Sequence, residues 1–259
     1  MVLRLLLMLA TLLPLARAES LIVFADESWP PLVQPSPNGM LGVIPAVMAA
    51  ASKLSGDQYQ LQYFPWRRAY EAALQGQGGI VGLSFNAERG DVFDYSAPFY
   101  DDNVEILSLK RHALVYRDLD DLRGKTIGGI IGASYGDRVD AAIAAGLFTV
   151  ERDTSLRGRL RKLLAGRLDA AFVHGGLAAI EQVFASEPAL TAHRQAFAVS
   201  PVPLLKDPLH LAFAKSMKQG AALQRFNLAI RQMTASGQLR AIIENEARRQ
   251  AQSHRPSQN

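Results

Sequence analysis

A short segment at residues 84–89 combines the two side chains best suited to bind a carboxylate. Ser84 supplies a hydroxyl and Arg89 a guanidinium, within the run Ser-Phe-Asn-Ala-Glu-Arg. A planar guanidinium forms two parallel hydrogen bonds with a carboxylate, and a nearby hydroxyl donates a further one. The sequence therefore predicts a carboxylate-binding loop. The alternative is that Arg89 forms a surface ion pair with Glu88 or Asp91, since weak exposed pairs are common.

A second candidate anion site lies at Gly132-Ala133-Ser134, between a predicted strand and a predicted helix. A glycine turn that is followed by Ser134 at a helix start offers backbone N–H groups and a hydroxyl to an anion. The alternative is a plain helix N-cap, which uses the same hydroxyl for the helix itself.

The elements that must position these residues alternate between strands and helices, which is typical of an α/β fold. Short apolar or alternating runs predict strands, and apolar residues at helical spacing predict helices. The predicted strands are 21–25, 59–63, 80–83, 126–131, 170–173 and 209–214, with extended chain at 104–109 and 113–116. The predicted helices are 42–54, 66–74, 135–145, 156–165 and 177–184, followed by a long C-terminal helical stretch.

Two α/β blocks are indicated, the second inserted into the first. We predict lobe 1 at 19–108 and 201–250, an inserted lobe 2 at 109–200 and a disordered tail at 251–259. Pro201, Pro203 and Pro208 bracket the return crossover. Two lobes joined by two crossovers form a hinge around a cleft.

The N-terminal segment predicts export. It carries Arg4, an apolar run at 5–13, Pro14 and then Ala-Arg-Ala at 16–18, the form of a signal-peptidase site. We therefore predict a signal peptide at 1–18. The alternative, a transmembrane anchor, is weaker because the apolar run is shorter than the roughly 20 residues that span a bilayer.

The composition excludes several classes of function. The chain has no cysteine, which rules out lipid attachment through cysteine, disulfides and thiol catalysis. Without residues 1–18, Lys plus Arg falls from 28 to 26 against 24 acids, a net charge of only +2 that argues against nucleic-acid binding. The local basic cluster at 157–167 is interpreted as a solvated helix face. No phosphate-loop or zinc-protease motif occurs, so we expect no cofactor and no metal.

Several motifs in order resemble one known family. They include Asp-Glu-Ser-Trp-Pro-Pro at 26–31, residues 84–89, Tyr-Ser-Ala-Pro at 95–98, Leu-Arg-Gly-Lys at 122–125, 132–134 and Ala-Gly-Arg-Leu-Asp-Ala at 165–170. From about residue 21 to about 246 the chain resembles the periplasmic solute-binding proteins of the polar amino-acid type, family 3, which serve ABC importers. The resemblance implies a two-lobed periplasmic-binding-protein fold (type II), each lobe a sheet flanked by helices, with two crossover hinge strands.

The resemblance also implies roles for individual residues. Arg89 would hold the carboxylate of a ligand, helped by the hydroxyls of Ser84 and Ser134. Trp29 occupies the place where the family stacks a ring on the ligand, and Trp66 would form another wall. Without the resemblance, either tryptophan is as well explained by a place in the core.

Asp26 and His174 match two positions at which the family has acids that contact positively charged groups of the ligand. Asp26 matches an acid that meets cationic side chains, although a loop aspartate that caps a turn is the alternative. His174 stands where the family usually places an acid for the ligand's α-ammonium group. A neutral imidazole accepts only one hydrogen bond and a protonated one repels ammonium. A carboxylate without an adjacent ammonium, or one whose cation lies near Asp26, therefore fits as well as a standard α-amino acid, unless His174 is a structural substitution.

The resulting expectation is a monomeric periplasmic binding protein that is not an enzyme. It would capture a small carboxylate-bearing solute and deliver it to an ABC transporter permease in the inner membrane. Two alternatives remain open. One is a periplasmic dehydratase or lyase on the same scaffold, for which His174 and Asp26 are the candidate acids or bases, without a visible partner. The other is a ligand sensor that acts in trans.

Overall fold

The computed structural model describes residues 19–253, so the predicted signal peptide and residues 254–259 lie outside the described part. The first half contains the strands β1 (Ser20–Asp26), β2 (Gln34–Ser36), β3 (Gly39–Leu41), β4 (Gln58–Phe64), β5 (Gly79–Ser84), β6 (Phe93–Tyr95) and β7 (Tyr100–Leu109), and the helices α1 (Val43–Ser55), α2 (Trp66–Leu74) and α3 (Ala87–Val92).

The second half continues the alternation. It contains the strands β8 (Thr126–Ile130), β9 (Thr149–Asp153), β10 (Ala170–Val173), β11 (Phe197–Val199) and β12 (Leu205–Ala214), and the helices α4 (Gly136–Ala144), α5 (Leu156–Leu164), α6 (Gly176–Ser186), α7 (Pro188–Thr191), α8 (Gly220–Ala235) and α9 (Gln238–Ser253).

A curled sheet runs through the molecule in the order β4-β1-β5-β12-β7-β10-β8-β9, with β6 paired to β12 and β11 paired to β7. The pairs β1–β4, β1–β5, β8–β9 and β8–β10 are parallel. Helices connect these strands, because parallel neighbours need a crossover. We call β1–β6 with α1–α3, α8 and α9 the first lobe, and β8–β11 with α4–α7 the second lobe.

The two lobes are joined by the long strands β7 and β12, which we call the hinge strands. Residues 100–104 of β7 pair antiparallel with residues 205–209 of β12. Beyond that ladder β7 continues into the second lobe, where it pairs with β10 and β11, and β12 continues into the first lobe, where it pairs with β5 and β6. The predicted pair of crossover strands is therefore present.

The central strands β5 and β10 are buried on both faces, which explains why they are apolar runs. Successive strand residues point to opposite faces. Val23 and Ala25 accordingly pack with α1 and α8, whereas Phe24 packs with α2 in a separate cluster. In the second lobe Phe172 packs toward α4, and its neighbour Val173 packs toward α5 and α6. In both lobes, helices therefore pack on both faces of the sheet and fix the positions of the loops that follow its strands.

Some predicted boundaries are wrong. The hinge strands begin at Tyr100 and Leu205, four residues earlier than the sequence indicated, because polar residues interrupt their apolar pattern. Segment 113–116, which was predicted as extended chain, pairs with no other strand. Helix α9 extends to Ser253, so residues 251–253 of the predicted disordered tail are helical. Among residues 19–253, no helix combines the length and apolar character needed to cross a bilayer.

Candidate functional site

Arg89 lies on α3, the six-residue helix that follows β5. Asn86 caps this helix, since its side-chain oxygen accepts a hydrogen bond from the Arg89 backbone N–H at 2.8 Å. The Nη1 of Arg89 donates to the Ser84 hydroxyl at 2.8 Å and to the Ser84 carbonyl oxygen at 3.2 Å. The guanidinium carbon lies 5.2 Å from the centre of the Tyr70 ring. The two residues predicted for carboxylate binding are therefore in contact.

The Arg89 side chain is not a surface ion pair. The residue is only 4% exposed, whereas Glu88 and Asp91 are exposed to solvent. Within the described part of the chain, no carboxylate oxygen lies within ion-pair distance of its guanidinium. A buried charge without a partner costs free energy, and a bound anion would recover it. The ion-pair alternative is thus wrong. Arg89 is a buried cation, and of its guanidinium nitrogens only Nη1 donates a hydrogen bond to another described residue.

A pocket of about 430 Å³ lies between the lobes at Arg89. Its first-lobe lining comes from α2 and α3, and its second-lobe lining comes from the loop after β8, from α4 and from β9. The lining residues are Tyr70, Asn86, Glu88, Arg89, Gly132, Ala133, Ser134, Asp140, Ile143, Ala144 and Arg152. Arg89 and Ser134 are the two predicted site residues in this lining.

Ser134 lies opposite Arg89 across the pocket, and its hydroxyl is already bonded within the protein. It donates to the Asp140 carboxylate, accepts from the Asn86 side-chain N–H at 2.8 Å and accepts from the Gly136 backbone N–H at 3.2 Å. The last contact is a hydrogen bond within the turn before α4. The N-cap residue of that helix is Tyr135, so the interpretation of Ser134 as a plain helix N-cap is wrong. The contact with Asn86 joins the two lobes, so a ligand that uses this hydroxyl must displace that contact.

The two tryptophans and His174 form an aromatic wall. The Trp29 ring lies edge-on to Trp66 at 6.2 Å and to His174 at 5.7 Å between ring centres. A Cβ atom built at Gly82 would lie 3.0 Å from the Trp29 ring, so the glycine at this position makes room for the indole. Trp66 stacks on Tyr70 at 6.4 Å. Trp29 and Trp66 are only half-buried and do not line the 430 Å³ pocket.

His174 has a partner that the sequence did not reveal. Its Nδ1 lies 2.9 Å from Oδ2 of Asp102 on β7, and Oδ1 of Asp102 accepts the Gly175 backbone N–H at 3.0 Å. His174 and Asp102 are both buried, at 9% and 2% exposure. A proton on Nδ1 that is donated to Asp102 leaves Nε2 as an acceptor. That Nε2 is buried and has no hydrogen-bond partner among the described residues.

Asp207 on β12 is a second acid that sequence reasoning missed. It is the strand partner of Asp102 and is 6% exposed. Burial raises the pKa of Asp207 to about 6, and the charge of Asp102 adds to the rise, while His174, Arg89 and Ser84 oppose it. Within residues 19–253 it forms no ion pair, and no backbone N–H donates to it. The only available signal was an aspartate next to a proline at a predicted crossover.

A family model of bacterial extracellular solute-binding proteins, family 3, matches residues 21–245. The chain belongs to this family. The resemblance drawn from the sequence motifs is therefore confirmed, and so is the class of binding protein that it implies.

Several solved structures share the fold of this family 3 protein. A mutant of ArgBP from T. maritima superposes with a TM-score of 0.68 at 21% identity, over 87% of this chain and 94% of that chain. The amino acid ABC transporter substrate-binding protein AbpA from Streptococcus pneumoniae, bound to L-arginine, gives 0.70 at 18% identity over 89% and 95%. A histidine kinase sensor domain with similarity to periplasmic binding proteins gives 0.72 at 19% over 88% and 96%. These likenesses establish the fold, the two-lobed type II fold that the sequence predicted.

Asp26 of this family 3 protein lies at the end of β1. Its Oδ1 accepts the Ser28 backbone N–H at 2.9 Å, which is the turn-capping role given as the alternative. Burial raises the pKa of Asp26, against the lowering effect of the Ser28 hydrogen bond. The side chain thus has a structural role in the turn that follows β1.

Asp207 is expected to limit stability above about pH 6. Because its pKa is raised, the folded protein holds the proton more tightly than the unfolded chain does. Its contribution is therefore most favourable below the unfolded value of 3.8 and is lost as the pH rises through about 6. Asp207→Asn should stabilise the protein by roughly 3 kcal/mol at most near pH 7.5, and by much less near pH 4.

Urea unfolding of wild type and Asp207→Asn at the two pH values measures this difference. Asp101→Asn is the matched control, since Asp101 is the exposed neighbour of Asp102 on β7. An equal gain for Asp207→Asn at both pH values would contradict the electrostatic explanation.

Proposed function

We propose that this protein is a periplasmic substrate-binding protein that captures a small carboxylate-bearing solute between its lobes and delivers it to an ABC importer. The observation that carries the proposal is Arg89. Its guanidinium is buried at the interlobe pocket and, among residues 19–253, has no carboxylate partner. A bidentate carboxylate would satisfy the hydrogen-bonding capacity that Ser84 leaves unused. We propose that the hydroxyls of Ser84 and Ser134 and the rings of Trp29 and Trp66 complete the site.

Contacts between the lobes support a mechanism of capture by closure. Asn86 of the first lobe donates to Ser134 of the second at 2.8 Å, and Asp137 accepts the Ala87 backbone N–H at 3.0 Å. Asn86 and Ser134, which form the first contact, both line the pocket beside Arg89. A ligand that touches both lobes favours the closed form, because part of its binding free energy exists only when the lobes meet.

Export and partner complete the proposal. We propose that residues 1–18 are removed, that the mature protein starting at Glu19 is a monomer and that its closed form docks on an ABC transporter permease in the inner membrane. Membership of an extracellular solute-binding family supports action outside the cytoplasm. The mass of the protein isolated from a periplasmic fraction tests the cleavage, since it should correspond to a chain that begins at Glu19.

The ligand is found by a screen of the exported protein. Melting temperature is measured with α-amino acids, amines, and aliphatic and aromatic carboxylates, and each hit is titrated by calorimetry. Since a ligand that binds only the folded state raises the melting temperature, a carboxylate hit at micromolar concentration is expected. Hits confined to compounds without a carboxylate would overturn the proposal.

The contact between His174 and Asp102 favours one second candidate, an enzyme on the same scaffold. A carboxylate that orients an imidazole, with Nε2 left as an acceptor, is the arrangement of a general base. The screen separates the two functions by NMR of each hit after prolonged incubation. A hit that returns unchanged supports the binding protein, and a hit that is converted supports the enzyme.

A further inference from the structure

Glu19, the residue before β1, is held by a buried carboxylate. Its backbone nitrogen donates to Oδ1 of Asp57 at 3.0 Å, and its carbonyl oxygen accepts the Gln58 backbone N–H at 2.7 Å. Asp57 lies in the loop between α1 and β4 and is only 1% exposed. The chain immediately before β1 is therefore fixed to that loop.

Arg225 on α8 shares the same carboxylate. Its Nε lies 3.1 Å from Oδ1 and 2.9 Å from Oδ2 of Asp57, and its Nη2 lies 3.2 Å from Oε1 of Glu19. The Arg225 side chain is largely buried, and that of Asp57 is fully buried. Glu19, Asp57 and Arg225, which we call the N-terminal cluster, thus join β1, the α1–β4 loop and α8.

The side chains of the N-terminal cluster carry more negative than positive charge. The carboxylates of Glu19 and Asp57 face the single guanidinium of Arg225. The Tyr59 hydroxyl on β4 also faces the cluster, but burial raises the pKa of Tyr59 to about 12, so this group stays neutral at physiological pH. Excess charge beside a buried carboxylate costs free energy. A second cation at the backbone nitrogen of Glu19 would balance the cluster.

Cleavage of the predicted signal peptide produces such a cation. Hydrolysis of the peptide bond between Ala18 and Glu19 consumes one water molecule, leaves a carboxylate on Ala18 and turns the amide nitrogen of Glu19 into an α-ammonium group. Before cleavage this nitrogen is a neutral amide with one N–H. After cleavage it has three N–H donors and a positive charge, and a hydrogen bond between two ions is stronger than one from a neutral donor.

We propose that Asp57, oriented by Arg225, is the binding site for the α-ammonium group of Glu19, so that cleavage after Ala18 stabilises the folded protein. The inference rests on the export step of the proposed function. The precursor lacks the second cation of the N-terminal cluster, and the chain reaches its full stability only after the signal peptide is removed. The site lies at the start of β1, whereas the turn that carries Trp29 follows the other end of that strand.

Two chains test the ammonium site, one that begins at Glu19 and one that retains Ala18. The second chain keeps the N–H of Glu19 and moves the positive charge to Ala18. In urea unfolding near pH 6.5, the unfolding equilibrium constant should be about 10-fold larger for the chain with Ala18, the change that corresponds to one pKa unit. Equal stability of the two chains at this pH would overturn the proposal.

The pH dependence separates the charge from the bulk of Ala18. An α-amino group in an unfolded chain loses its proton at about pH 8. Asp57 favours the charged form in the folded protein and raises this pKa, so the stabilisation is complete below about pH 8 and is lost as the pH rises through the folded value. Near pH 10.5 the two chains should be almost equally stable. A difference that persists there would reveal a steric effect and overturn the proposal.

Asp57→Asn locates the effect. In this variant, retention of Ala18 should change the unfolding equilibrium constant by less than about 2-fold near pH 6.5, because the partner of the ammonium group is gone. Asp101→Asn, which alters an exposed acid on β7, should keep the wild-type difference. A wild-type difference in folded Asp57→Asn, with folding checked by circular dichroism, would overturn the proposal. If Asp57→Asn does not fold, the pH comparison of the two wild-type chains decides.

The mass of the periplasmic protein distinguishes this inference from the proposed function. A chain that begins at Glu19 but gains no stability from its ammonium group overturns the inference and leaves the proposed function standing. A chain that begins at another residue counts against the export step and against the inference alike.

Discussion

Arg89→Ala is expected to abolish binding of carboxylate ligands and to leave the fold intact. The substitution removes two charge-assisted hydrogen bonds to the carboxylate, worth about 1.5–3 kcal/mol each, so affinity should fall by at least about 100-fold. The fold should persist because the guanidinium is buried and pairs with no acid among residues 19–253, and its hydrogen bonds within the protein go to Ser84 alone. Calorimetry with the best carboxylate hit, together with the melting temperature of the unliganded protein, measures both effects.

Two control variants sharpen the result for Arg89. Arg89→Lys keeps the charge and loses the planar fork, so it should bind with an affinity between wild type and Arg89→Ala. Arg123→Ala removes an exposed arginine that pairs with Asp120 on the surface and should bind as wild type does. If Arg89→Ala bound carboxylates with wild-type affinity, the pocket would be assigned to the wrong residues.

Gly175→Ala is expected to block closure of the lobes. A Cβ atom at Gly175 would lie 2.0 Å from the carbonyl oxygen of Pro30, which belongs to the first lobe. Such a contact is impossible without moving the lobes apart. Since apparent affinity falls in proportion to the population of the closed form, the best hit should bind about 100-fold more weakly.

Gly176→Ala is the matched control for closure. Both glycines have positive φ, 74° and 59°, so both alanine variants carry the left-handed backbone cost of about 1–2 kcal/mol. A Cβ atom at Gly176 meets no atom within 4 Å, so this variant should still close. X-ray scattering with saturating hit should show a smaller radius of gyration for Gly176→Ala and no change for Gly175→Ala. Equal compaction of the two variants would refute the steric explanation.

The parts of the fold that the sequence predicted are those governed by local patterns. Strand β1 is an apolar run that ends at an aspartate, and α5 has apolar residues at helical spacing, so both were predicted almost to their ends. The first halves of the hinge strands were not predicted as strands, because the polar residues Asp102 and Asp207 interrupt their apolar pattern. Their pairing is a contact between distant segments, and no local pattern encodes it.

The candidate site divides along the same line. Arg89 and Ser84 were predicted together because a single turn of chain joins them, and the structure brings them into contact. The partner of His174 could not be predicted, since Asp102 reaches it only through the pairing of β7 with β10. Motif comparison with a family cannot find such a partner when the family motif at 174 is itself altered. The ligand roles of all seven predicted residues stay predictions until the screen is made.

The pairing of Asp102 with Asp207 on the hinge strands has a consequence for the order of capture. Arg89, Ser84 and the two tryptophans belong to the first lobe, and the acids lie at the pivot rather than on the second lobe. Points near a pivot move least when the lobes swing apart. The two hinge acids should therefore keep nearly the same distance from Arg89 in the open and in the closed cleft, and the second lobe is the part whose contacts with a solute depend on closure.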